Sequence, residues 1–413
     1  MTNYVGTASD DTISGSSQAD TFDLTQGGDD FADGKKENDY FDLGAAFTAD
    51  DTLVGGLGSD TLDLDGDYST TVTLLASTLS GIETINLETG NDYRLAFDDA
   101  NIAAGTQLTI GASGLGGFDG ARITATSETD GWVWFNNGGG GDRLLGGAGA
   151  DIFYEPSAES DRGADTVKGG DGDDYVQLNN SFDSHDKIEG QGGLSDQVVI
   201  TTGYAAGLTI DGGMLKSAEI FQINGTGEAS FALTMEDSGL KATLSRRILA
   251  STMNTTALDF DASAETDAAY NVEAASGNDT LVLGAQADTV NGANGDDLLT
   301  GAGGGDFLTG GVGADRFIYL ATADSTAAAA DRITDLDASD LIDLSVIDAK
   351  ASKPGDQAFN LVAAFTGREA QAVLSYDGAF NLTSLSLDTD GDAVADAVIT
   401  MSGDQTAFTG FVL

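Results

Sequence analysis

The sequence predicts an all-β protein built from short repeats, and three observations carry this prediction. Aspartates recur every nine residues from Asp279 to Asp315, and an apolar residue stands two positions after each. Short apolar–polar–apolar runs, such as VTL at 72–74 and INL at 85–87, suit short strands. A chain of 413 residues with a fixed repeat period is typical of an elongated repeat structure. The aspartates are Asp279, Asp288, Asp297, Asp306 and Asp315, followed by Leu281, Val290, Leu299, Leu308 and Phe317.

The same Asp-x-apolar signature occurs in two earlier blocks. Its fullest form, Gly-Gly-x-Gly-x-Asp, appears four times and ends at Asp60, Asp151, Asp174 and Asp315. A flexible glycine-rich linker would not explain the apolar residue, and a phosphate-binding loop would need a Lys-Ser/Thr pair that is missing. We therefore expect the glycines to form tight turns and the apolar residues to build a core. The first block contains Asp11, Asp20, Asp29, Asp39, Asp51 and Asp60, paired with Ile13, Phe22, Phe31, Phe41, Leu53 and Leu62; the second contains Asp142, Asp151, Asp165, Asp174, Asp186 and Asp196.

The charge balance predicts that cations take part in folding. There are 68 acidic and 17 basic residues, a formal net charge of −51, so the chain repels itself unless counter-ions bind. The lack of a cationic face excludes binding to nucleic-acid phosphates, and anionic membranes are equally unsuited. With no cysteine and one histidine, the available ligands are mainly oxygens, which calcium prefers.

The nonapeptide G-G-x-G-x-D-x-U-x resembles the RTX repeat of calcium-binding proteins exported by Gram-negative bacteria. The resemblance implies a right-handed parallel β-roll, in which each nonapeptide forms one turn and one strand and two complete a coil. Aspartates eighteen residues apart then stack, and calcium lies between successive turns, held by carboxylates and turn carbonyls. The implied metal-binding residues of the repeats are Gly55, Gly58, Asp60, Gly146, Gly149, Asp151, Gly169, Gly172, Asp174, Asp279, Asp288, Gly292, Gly295, Asp297, Gly301, Gly304, Asp306, Gly310, Gly311, Gly313 and Asp315.

Two segments, 64–137 and 200–275, lack the glycine pattern but resemble each other. LSGIETINL at 79–87 recurs as LKSAEIFQI at 215–223, and SETDGW at 127–132 recurs as AETDAA at 264–269. We interpret these calcium-poor segments as further β-solenoid, with a β-sandwich as the alternative. The expected domains are degenerate RTX block 1–63, β-rich segment 64–137, RTX block 138–199, β-rich segment 200–275, RTX β-roll 276–345 and C-terminal cap with secretion signal 346–413.

The C-terminal region resembles that of serralysin-type RTX proteins. The similarity rests on DRITDLDASDLIDLS from Asp331, the LSYD run and the apolar end FVL. It implies a cap on the roll and an uncleaved signal for type I secretion through an ABC exporter. In DTDGDAVAD, Asp388, Asp390 and Asp392 have the spacing of a calcium loop, but a solvated β-hairpin turn explains the segment equally well.

The motifs predict a protein without enzymatic activity. The zinc-protease motif H-E-x-x-H is absent, and His185 is the only histidine. The G-x-S-x-G motif of the lipase relatives is absent as well.

The expected function is that of a secreted calcium-binding structural protein of a Gram-negative cell surface, an S-layer or matrix component that folds and self-associates on binding extracellular calcium. The alternative is a calcium-scaffolded adhesin or polysaccharide-binding effector. The N-terminal sequence has neither a basic nor an apolar region of the kind found in cleaved signal peptides, and no run is long enough to span a membrane.

Overall fold

The computed structural model describes residues 2–112, 114–116, 119–136, 138–155, 163–179, 182–201, 207–225, 230–237, 245–253, 256–350, 352–355 and 357–413. Within these ranges, the two helices are single 3₁₀ turns, Asp99–Asn101 and Ser251–Met253. None of the helices in these ranges is long and apolar enough to cross a membrane. Two compact units are formed, one by Met1–Thr201 with Gly213–Glu219 and one by Thr202–Gly212 with Ile220–Leu413.

The first unit is a parallel β-solenoid. Its strands are β1 (Asn3–Val5), β2 (Thr12–Ser14), β3 (Thr21–Asp23), β4 (Phe31–Lys36), β5 (Tyr40–Gly44), β6 (Thr52–Leu57), β7 (Thr61–Leu64), β8 (Tyr68–Thr73), β9 (Leu79–Ser80), β10 (Thr84–Leu87), β11 (Tyr93–Ala96), β12 (Gln107–Gly111), β13 (Ala121–Thr124), β14 (Trp132–Asn136), β15 (Arg143–Leu145), β16 (Ile152–Tyr154), β17 (Thr166–Gly170), β18 (Tyr175–Leu178), β19 (Lys187–Gln191), β20 (Gln197–Thr201) and, after a strand of the second unit, β22 (Leu215–Lys216). One face pairs β1, β3, β5, β7, β10, β12, β14, β16, β18 and β20 in that order. Elsewhere β2, β4, β6 and β9 form one parallel sheet, and β8, β11, β13, β15, β17, β19 and β22 form another.

The second unit is also a parallel β-solenoid, followed by an antiparallel sheet. Its strands are β21 (Leu208–Ile210), β23 (Ile220–Asn224), β24 (Ser230–Met235), β25 (Ser245–Leu249), β26 (Ala257–Asp261), β27 (Ala269–Glu273), β28 (Thr280–Val282), β29 (Thr289–Asn291), β30 (Leu298–Thr300), β31 (Phe307–Thr309), β32 (Arg316–Ile318), β33 (Arg332–Ile333), β34 (Leu341–Asp343), β35 (Asn360–Val362), β36 (Gln371–Asp377), β37 (Leu382–Asp388), β38 (Ala397–Ser402) and β39 (Phe411–Val412). One face pairs β21, β24, β26, β28, β30, β32, β34 and β39, and the other pairs β23, β25, β27, β29, β31, β33 and β38. β36, β37 and β38 are antiparallel, and they cover the last coil on one side.

The nine-residue pattern sets the coil size in the last repeat block. Leu281 of β28 lies opposite Leu299 of β30, and Val290 of β29 lies opposite Leu308 of β31, so paired residues are eighteen apart. These apolar side chains are fully or almost fully buried. Short strands of three residues with one inward side chain stack here because each coil repeats the same spacing. The predicted parallel β-solenoid is confirmed.

The glycine-poor segments continue the solenoid. In 64–137, β12 pairs in parallel with β10 on one side and with β14 on the other. In 200–275, β24 pairs in parallel with β21 and β26. Parallel neighbours in successive coils are the arrangement of a solenoid, and the sandwich alternative is not what these described strands form.

One predicted repeat position is wrong by one residue. We expected Asp29 and Phe31 to be the aspartate and the core residue of the third nonapeptide. Instead Asp30 is buried at 3% exposure, Ala32 is fully buried, and Phe31 is 38% exposed. Because two aspartates are adjacent here, the motif fits either register, and only the stacking of Ala32 between Ile13 and Leu53 decides it.

Candidate metal centre

A ladder of buried aspartates runs along the turns of the repeats. The backbone N–H of Asp279 donates to Oδ1 of Asp297 at 2.7 Å, and the N–H of Asp297 donates to Oδ1 of Asp315 at 3.0 Å. In a second column, Asp288 donates to Asp306 in the same way at 2.8 Å. One oxygen of each carboxylate therefore links its coil to the preceding one. We name each such aspartate a rung.

The second oxygen distinguishes two main kinds of rung. In the first kind, which we name open rungs, Oδ2 is buried without a hydrogen bond to any described residue, and a left-handed turn residue precedes the aspartate by four positions. Oδ2 also lacks a hydrogen bond to the described residues at Asp196, Asp279, Asp288 and Asp331, where that turn is absent. In each open rung the residue four positions earlier has a positive φ, for example Ala302 (58°) before Asp306 and Gly311 (104°) before Asp315. The open rungs are Asp39, Asp60, Asp174, Asp297, Asp306 and Asp315.

In the second kind, which we name closed rungs, a backbone N–H of the preceding turn donates to Oδ2. At Asp20 the donors are the N–H and the hydroxyl of Ser16, at 2.7 and 2.8 Å. At Asp151 the donor is the N–H of Gly147, at 2.8 Å. Such a carboxylate already has partners for both oxygens and has less need of a cation. The closed rungs are Asp11, Asp20, Asp51, Asp151, Asp186 and Asp340.

The first glycine of each motif keeps space beside the rung. A Cβ on Gly301 would lie 2.3 Å from Oδ2 of Asp306, and one on Gly310 would lie 2.3 Å from Oδ2 of Asp315. The carboxylate oxygen therefore packs directly against the glycine, and any side chain at this position would collide with it. A Cβ would lie within 2.5 Å of Oδ2 at each of the equivalent pairs, namely Gly55 with Asp60, Gly146 with Asp151, Gly169 with Asp174 and Gly292 with Asp297.

The later glycines of the motif allow the coils to approach each other. A Cβ on Gly295 would lie 1.9 Å from the carbonyl oxygen of Gly277, one coil earlier. These carbonyls lie in the turns that carry the rungs, where calcium would find its remaining oxygen ligands. The same close approach to a carbonyl, within 2.4 Å, holds at Gly58, Gly149, Gly172, Gly304, Gly311 and Gly313.

Burial raises the pKa of the open rungs. It brings the pKa to about 9 at Asp306, about 8 at Asp174 and about 7 at Asp297, and neighbouring aspartates add to the rise. At Asp20 burial acts in the same direction, but the hydrogen bonds from Ser16 and Thr2 outweigh it and lower the pKa. Burial also raises the pKa of the closed rung Asp151, to about 6. Without a cation, these three open rungs therefore resist the ionised state more than Asp151 and Asp20 do. Buried carboxylate oxygens without partners, in turns that also carry backbone carbonyls, fit a hard cation such as calcium.

Two predicted ligands of the last block, Asp279 and Asp288, have an unpartnered Oδ2 like the open rungs but lack the left-handed turn residue before them. Burial raises the pKa of Asp279 to about 6 and of Asp288 to about 7, while the backbone N–H groups of Ala275 and Gly284 oppose the rise. Asp279 and Asp288 begin the two columns of this block, where Leu258 and Tyr270 donate to their Oδ1 atoms.

The structure places the other predicted cluster in the turn between β37 and β38. One oxygen from each of Asp388, Asp390 and Asp392 lies within 4.8 Å of the others. The two oxygens of Asp388 accept the N–H groups of Gly391 and Ala393, which both have positive φ. This geometry fits either interpretation of the turn, since the loop is closed by its own hydrogen bonds.

Sequence reasoning missed several members of the ladder. Glu83 and Glu219 accept the backbone N–H of the last aspartates of their blocks, Asp60 and Asp196, at 2.7 and 3.0 Å. The available signal was that both glutamates occupy the fifth position of the two similar stretches LSGIETINL and LKSAEIFQI.

Two further rungs lie beyond the regular nonapeptides. Asp331 and Asp340 extend the two columns of the last block after longer coils of twenty-five residues. Each is followed two positions later by an apolar residue, Ile333 and Ile342, so the Asp-x-apolar pattern continues where the nine-residue spacing ends.

The residues of this chain do not fit a histidine-ligated zinc centre. His185 is the only histidine in the sequence. Its side chain is 72% exposed, and its Nδ1 lies 2.8 Å from Asp183 in a surface turn. A catalytic zinc site of the usual kind needs two or three imidazole or carboxylate ligands that converge in a cavity.

Stacked turns, glycine-lined carboxylates and short parallel strands define a calcium-binding β-roll. Comparison with protein families agrees with this class: residues 3–31, 24–62, 45–67, 136–154 and 159–184 match the RTX calcium-binding nonapeptide repeat, and residues 257–413 match the C-terminal region of the peptidase M10 serralysins. The chain is therefore an RTX-repeat protein with a serralysin C-terminal region. Both features occur in secreted, extracellular proteins.

Two curated relatives share part of the chain. It is 47% identical over 98 residues to metalloprotease AprA of Pseudomonas entomophila (strain L48), covering 24% of this chain and 20% of the relative. It is 41% identical over 97 residues to metallopeptidase AprA of Pseudomonas marginalis, covering 23% of this chain and 19% of the relative. The chain thus spans about a fifth of the length of these relatives.

These comparisons overturn the prediction of a protein without enzymatic activity. The relatives are named as metalloproteases, and the region matched at the C-terminus is that of a peptidase family. The prediction rested on the absence of H-E-x-x-H from this chain.

Proposed function

We propose that this chain is the calcium-folded solenoid of a secreted serralysin-type protein. At the low free calcium of a cytoplasm the carboxylates repel one another, and the chain stays unfolded for export by a type I system. Outside the cell, calcium binds the open rungs and its binding energy becomes folding energy. The observation that carries the proposal is the row of buried, unpartnered Oδ2 atoms that pack against the glycines of the turns.

The energetics are sufficient for such a switch. Extracellular calcium sites bind at ~10⁻⁴–10⁻³ M. At about a hundredfold excess over the dissociation constant, each site contributes roughly 2.7 kcal/mol. A few occupied rungs then match the ~5–15 kcal/mol that stabilises an ordinary domain.

Circular dichroism during a calcium titration tests the proposal. We expect little β-structure in a chelator at neutral pH and a cooperative rise in β-signal at millimolar calcium. Magnesium serves as the control, because it demands a tighter octahedral geometry and should not replace calcium. Equal β-content in chelator and in calcium would overturn the proposal.

Proteolysis is a second candidate function, and the names of the relatives favour it. Because His185 stands alone, a zinc centre acting with this chain needs ligands other than histidine or ligands from outside the chain. Cleavage of a fluorescent casein in zinc and calcium tests this candidate. Activity that calcium chelation abolishes supports it, and the absence of cleavage by the purified chain contradicts it for this chain.

The finer proposal for the extracellular role is assembly at the cell surface, as an S-layer or matrix component that self-associates or binds a surface polysaccharide. Its support is the exposure of large apolar side chains on the repeat block, with Leu298 39%, Phe307 50% and Val312 71% exposed. Electron microscopy with and without calcium tests it. Calcium-dependent sheets or filaments support assembly, and monomers in both conditions contradict it.

A further inference from the structure

Three carboxylates meet in the glycine-poor part of the first unit. Asp99 lies in the 3₁₀ turn after β11, and Glu128 and Asp130 lie in the turn between β13 and β14, one coil later. One oxygen of each lies within 4.8 Å of the others. We name this group the unit-1 triad. None of its members belongs to a nonapeptide of the glycine pattern.

The buried member of the triad has an oxygen without a partner. Glu128 is 1% exposed, and its Oε1 accepts the backbone N–H groups of Asp130 and Gly131 at 3.0 and 2.6 Å. Its Oε2 is buried and has no hydrogen bond to any described residue. A buried carboxylate oxygen without hydrogen bond or counter-charge is costly, so its position beside two further carboxylates points to a missing cation.

Hydrogen bonds bring the carboxylates of two coils together. Oδ1 of Asp99 accepts both the N–H and the hydroxyl of Thr129, at 2.8 and 2.6 Å. This contact fixes Asp99 against the turn that carries Glu128 and Asp130. No Lys, Arg or His forms an ion pair with the triad within the described part of the chain. Three like charges held together in this way repel one another unless a cation lies between them.

The second unit contains a matching group, formed by Asp237, Glu265 and Asp267. Glu265 and Asp267 lie in AETDAA, the counterpart of SETDGW, and Asp237 follows β24 as Asp99 follows β11. One oxygen of each again lies within 4.8 Å of the others. We name this group the unit-2 triad. Its hydrogen bonds follow the same pattern, since the hydroxyl of Thr266 donates to Asp237 at 3.2 Å.

Two residues beside the unit-2 triad differ from their counterparts in the first unit. Arg246 of β25 lies opposite Tyr270 of β27, at the positions where Leu108 of β12 lies opposite Val133 of β14. The hydroxyl of Tyr270 lies 3.4 Å from Oε2 of Glu265.

These differences change the charge around the second triad. Burial raises the pKa of Tyr270, and the charge of the buried Arg246 acts in the opposite direction, which places this cation in the same neighbourhood. The second unit therefore supplies a hydroxyl and a guanidinium where the first unit supplies two apolar side chains. The unit-1 triad is the one that lacks a positive charge of its own.

We propose that the unit-1 triad, Asp99, Glu128 and Asp130, binds a hard divalent cation such as calcium, in a site separate from the glycine-lined repeats. The triad joins two successive coils of a segment that has no aspartate ladder. All of its ligands are carboxylate oxygens from turns, which suits calcium rather than a softer metal. The triad and the rungs are different sets of residues, so the triad can be tested in the folded chain whether or not calcium drives folding.

Terbium luminescence can detect cations near this site, and substitution of the triad then assigns the signal. Tb³⁺ replaces Ca²⁺ at oxygen sites and emits when a nearby tryptophan is excited. The chain has two tryptophans, Trp132 and Trp134, and both lie on β14, directly after Asp130. The full chain, folded in calcium, is titrated with Tb³⁺ under tryptophan excitation.

The test variant is the double substitution Asp99→Asn with Asp130→Asn. Both side chains are exposed, and asparagine at 99 keeps the oxygen that accepts from Thr129. We expect Tb³⁺ affinity to fall about tenfold, since calcium sites are tuned by the number of charged ligands. The matched control, Asp237→Asn with Asp267→Asn, removes two charges from the unit-2 triad and should leave the tryptophan-sensitised curve unchanged.

A wild-type titration curve for the Asp99/Asp130 variant would overturn the proposal, as would an equal loss in the Asp237/Asp267 variant. Circular dichroism of each variant in calcium separates this result from a folding defect. If the wild type folds equally well without calcium, the proposed folding switch is wrong. The terbium titration still tests whether the unit-1 triad binds a cation.

Discussion

The rung at Asp20 and the rung at Asp306 have the same position in the solenoid but different partners. Both are fully buried, and both accept a backbone N–H on Oδ1, from Thr2 and Asp288 respectively. At Asp20 the turn contains Ser16, whose two donors occupy Oδ2. At Asp306 the corresponding turn residue, Ala302, has a φ of 58°, and Oδ2 has no partner among the described residues.

The comparison indicates how one fold is stabilised in two ways. In a closed rung, hydrogen bonds from the turn stabilise the carboxylate, and these bonds form with or without calcium. In an open rung, a cation from solution has to stabilise the carboxylate, so the stability of that part of the fold depends on the calcium concentration. In the first block, a residue that departs from the glycine pattern, such as Ser16, therefore supplies hydrogen bonds where another turn would need calcium.

Calcium removal should separate the two kinds of rung most strongly. In a chelator at neutral pH we expect the amides of residues 276–345 to exchange fast and to become protected at millimolar calcium, because this block contains three open rungs. The strands around Asp20 should change less. Hydrogen exchange followed by mass spectrometry measures both regions in one sample. Equal calcium dependence in the two regions would contradict the distinction between the rungs.

Substitution of the carboxylates by amides should give effects of opposite sign. Asp306→Asn keeps the Oδ1 acceptor and removes the need to protonate a buried carboxyl group on folding without calcium. At pH 8, in the lowest calcium concentration that still folds the wild type, we expect it to stabilise the fold by about 1–3 kcal/mol, and in saturating calcium to destabilise it. Asp20→Asn replaces an acceptor of two donors, so it should destabilise the fold in both conditions. Thermal unfolding in the two buffers measures the four values, and a calcium-independent effect at Asp306 would count against an ion there.

The pH dependence should reverse when calcium is added. In the folded, metal-free state the pKa is about 6 at Asp279, about 7 at Asp297 and about 9 at Asp306, against about 3.9 in an unfolded chain. The folded state thus binds more protons between about pH 4 and 9, and its stability falls as pH rises through this window. With calcium, which binds the ionised form, stability should rise over the same window. Melting temperatures at pH 5 and 8 check both slopes, and parallel slopes would contradict the assignment.

The smallest predicted effect concerns the space beside one rung. Gly301→Ala would place a Cβ 2.3 Å from Oδ2 of Asp306, so we expect a higher calcium midpoint for folding. Gly303→Ala, in the same motif, would meet its nearest atom at 3.7 Å and should leave the midpoint unchanged. A calcium titration by circular dichroism compares the two variants. Equal midpoints would show that the glycine is not needed for the ion.

The repeat period made most of the fold predictable. A nine-residue spacing with one inward apolar residue leaves few arrangements besides a solenoid, and Leu281, Leu299 and Phe317 stack as the spacing requires. The register at Asp29 and Asp30 was ambiguous because either aspartate satisfies the motif. Only contacts with neighbouring coils resolve such a choice.

The candidate site was predictable in its residue types but not in its partners. Glycine content alone favours Asp151, yet the N–H of Gly147 occupies its second oxygen. Conversely, Asp39 has only the first glycine of the motif, Gly34, yet Lys35 adopts a φ of 81° and Oδ2 of Asp39 has no partner among the described residues. The backbone angle of a turn residue is difficult to predict from the sequence when that residue is not glycine.

The central claim is that cations bind at the second oxygens of the open rungs. Anomalous diffraction from crystals grown in calcium tests it most directly, because calcium scatters anomalously and the protein atoms that surround it scarcely do. The account predicts anomalous peaks beside Oδ2 of Asp297, Asp306 and Asp315 and none beside Oδ2 of Asp20. Peaks at Asp20, or none in the last block, would contradict it.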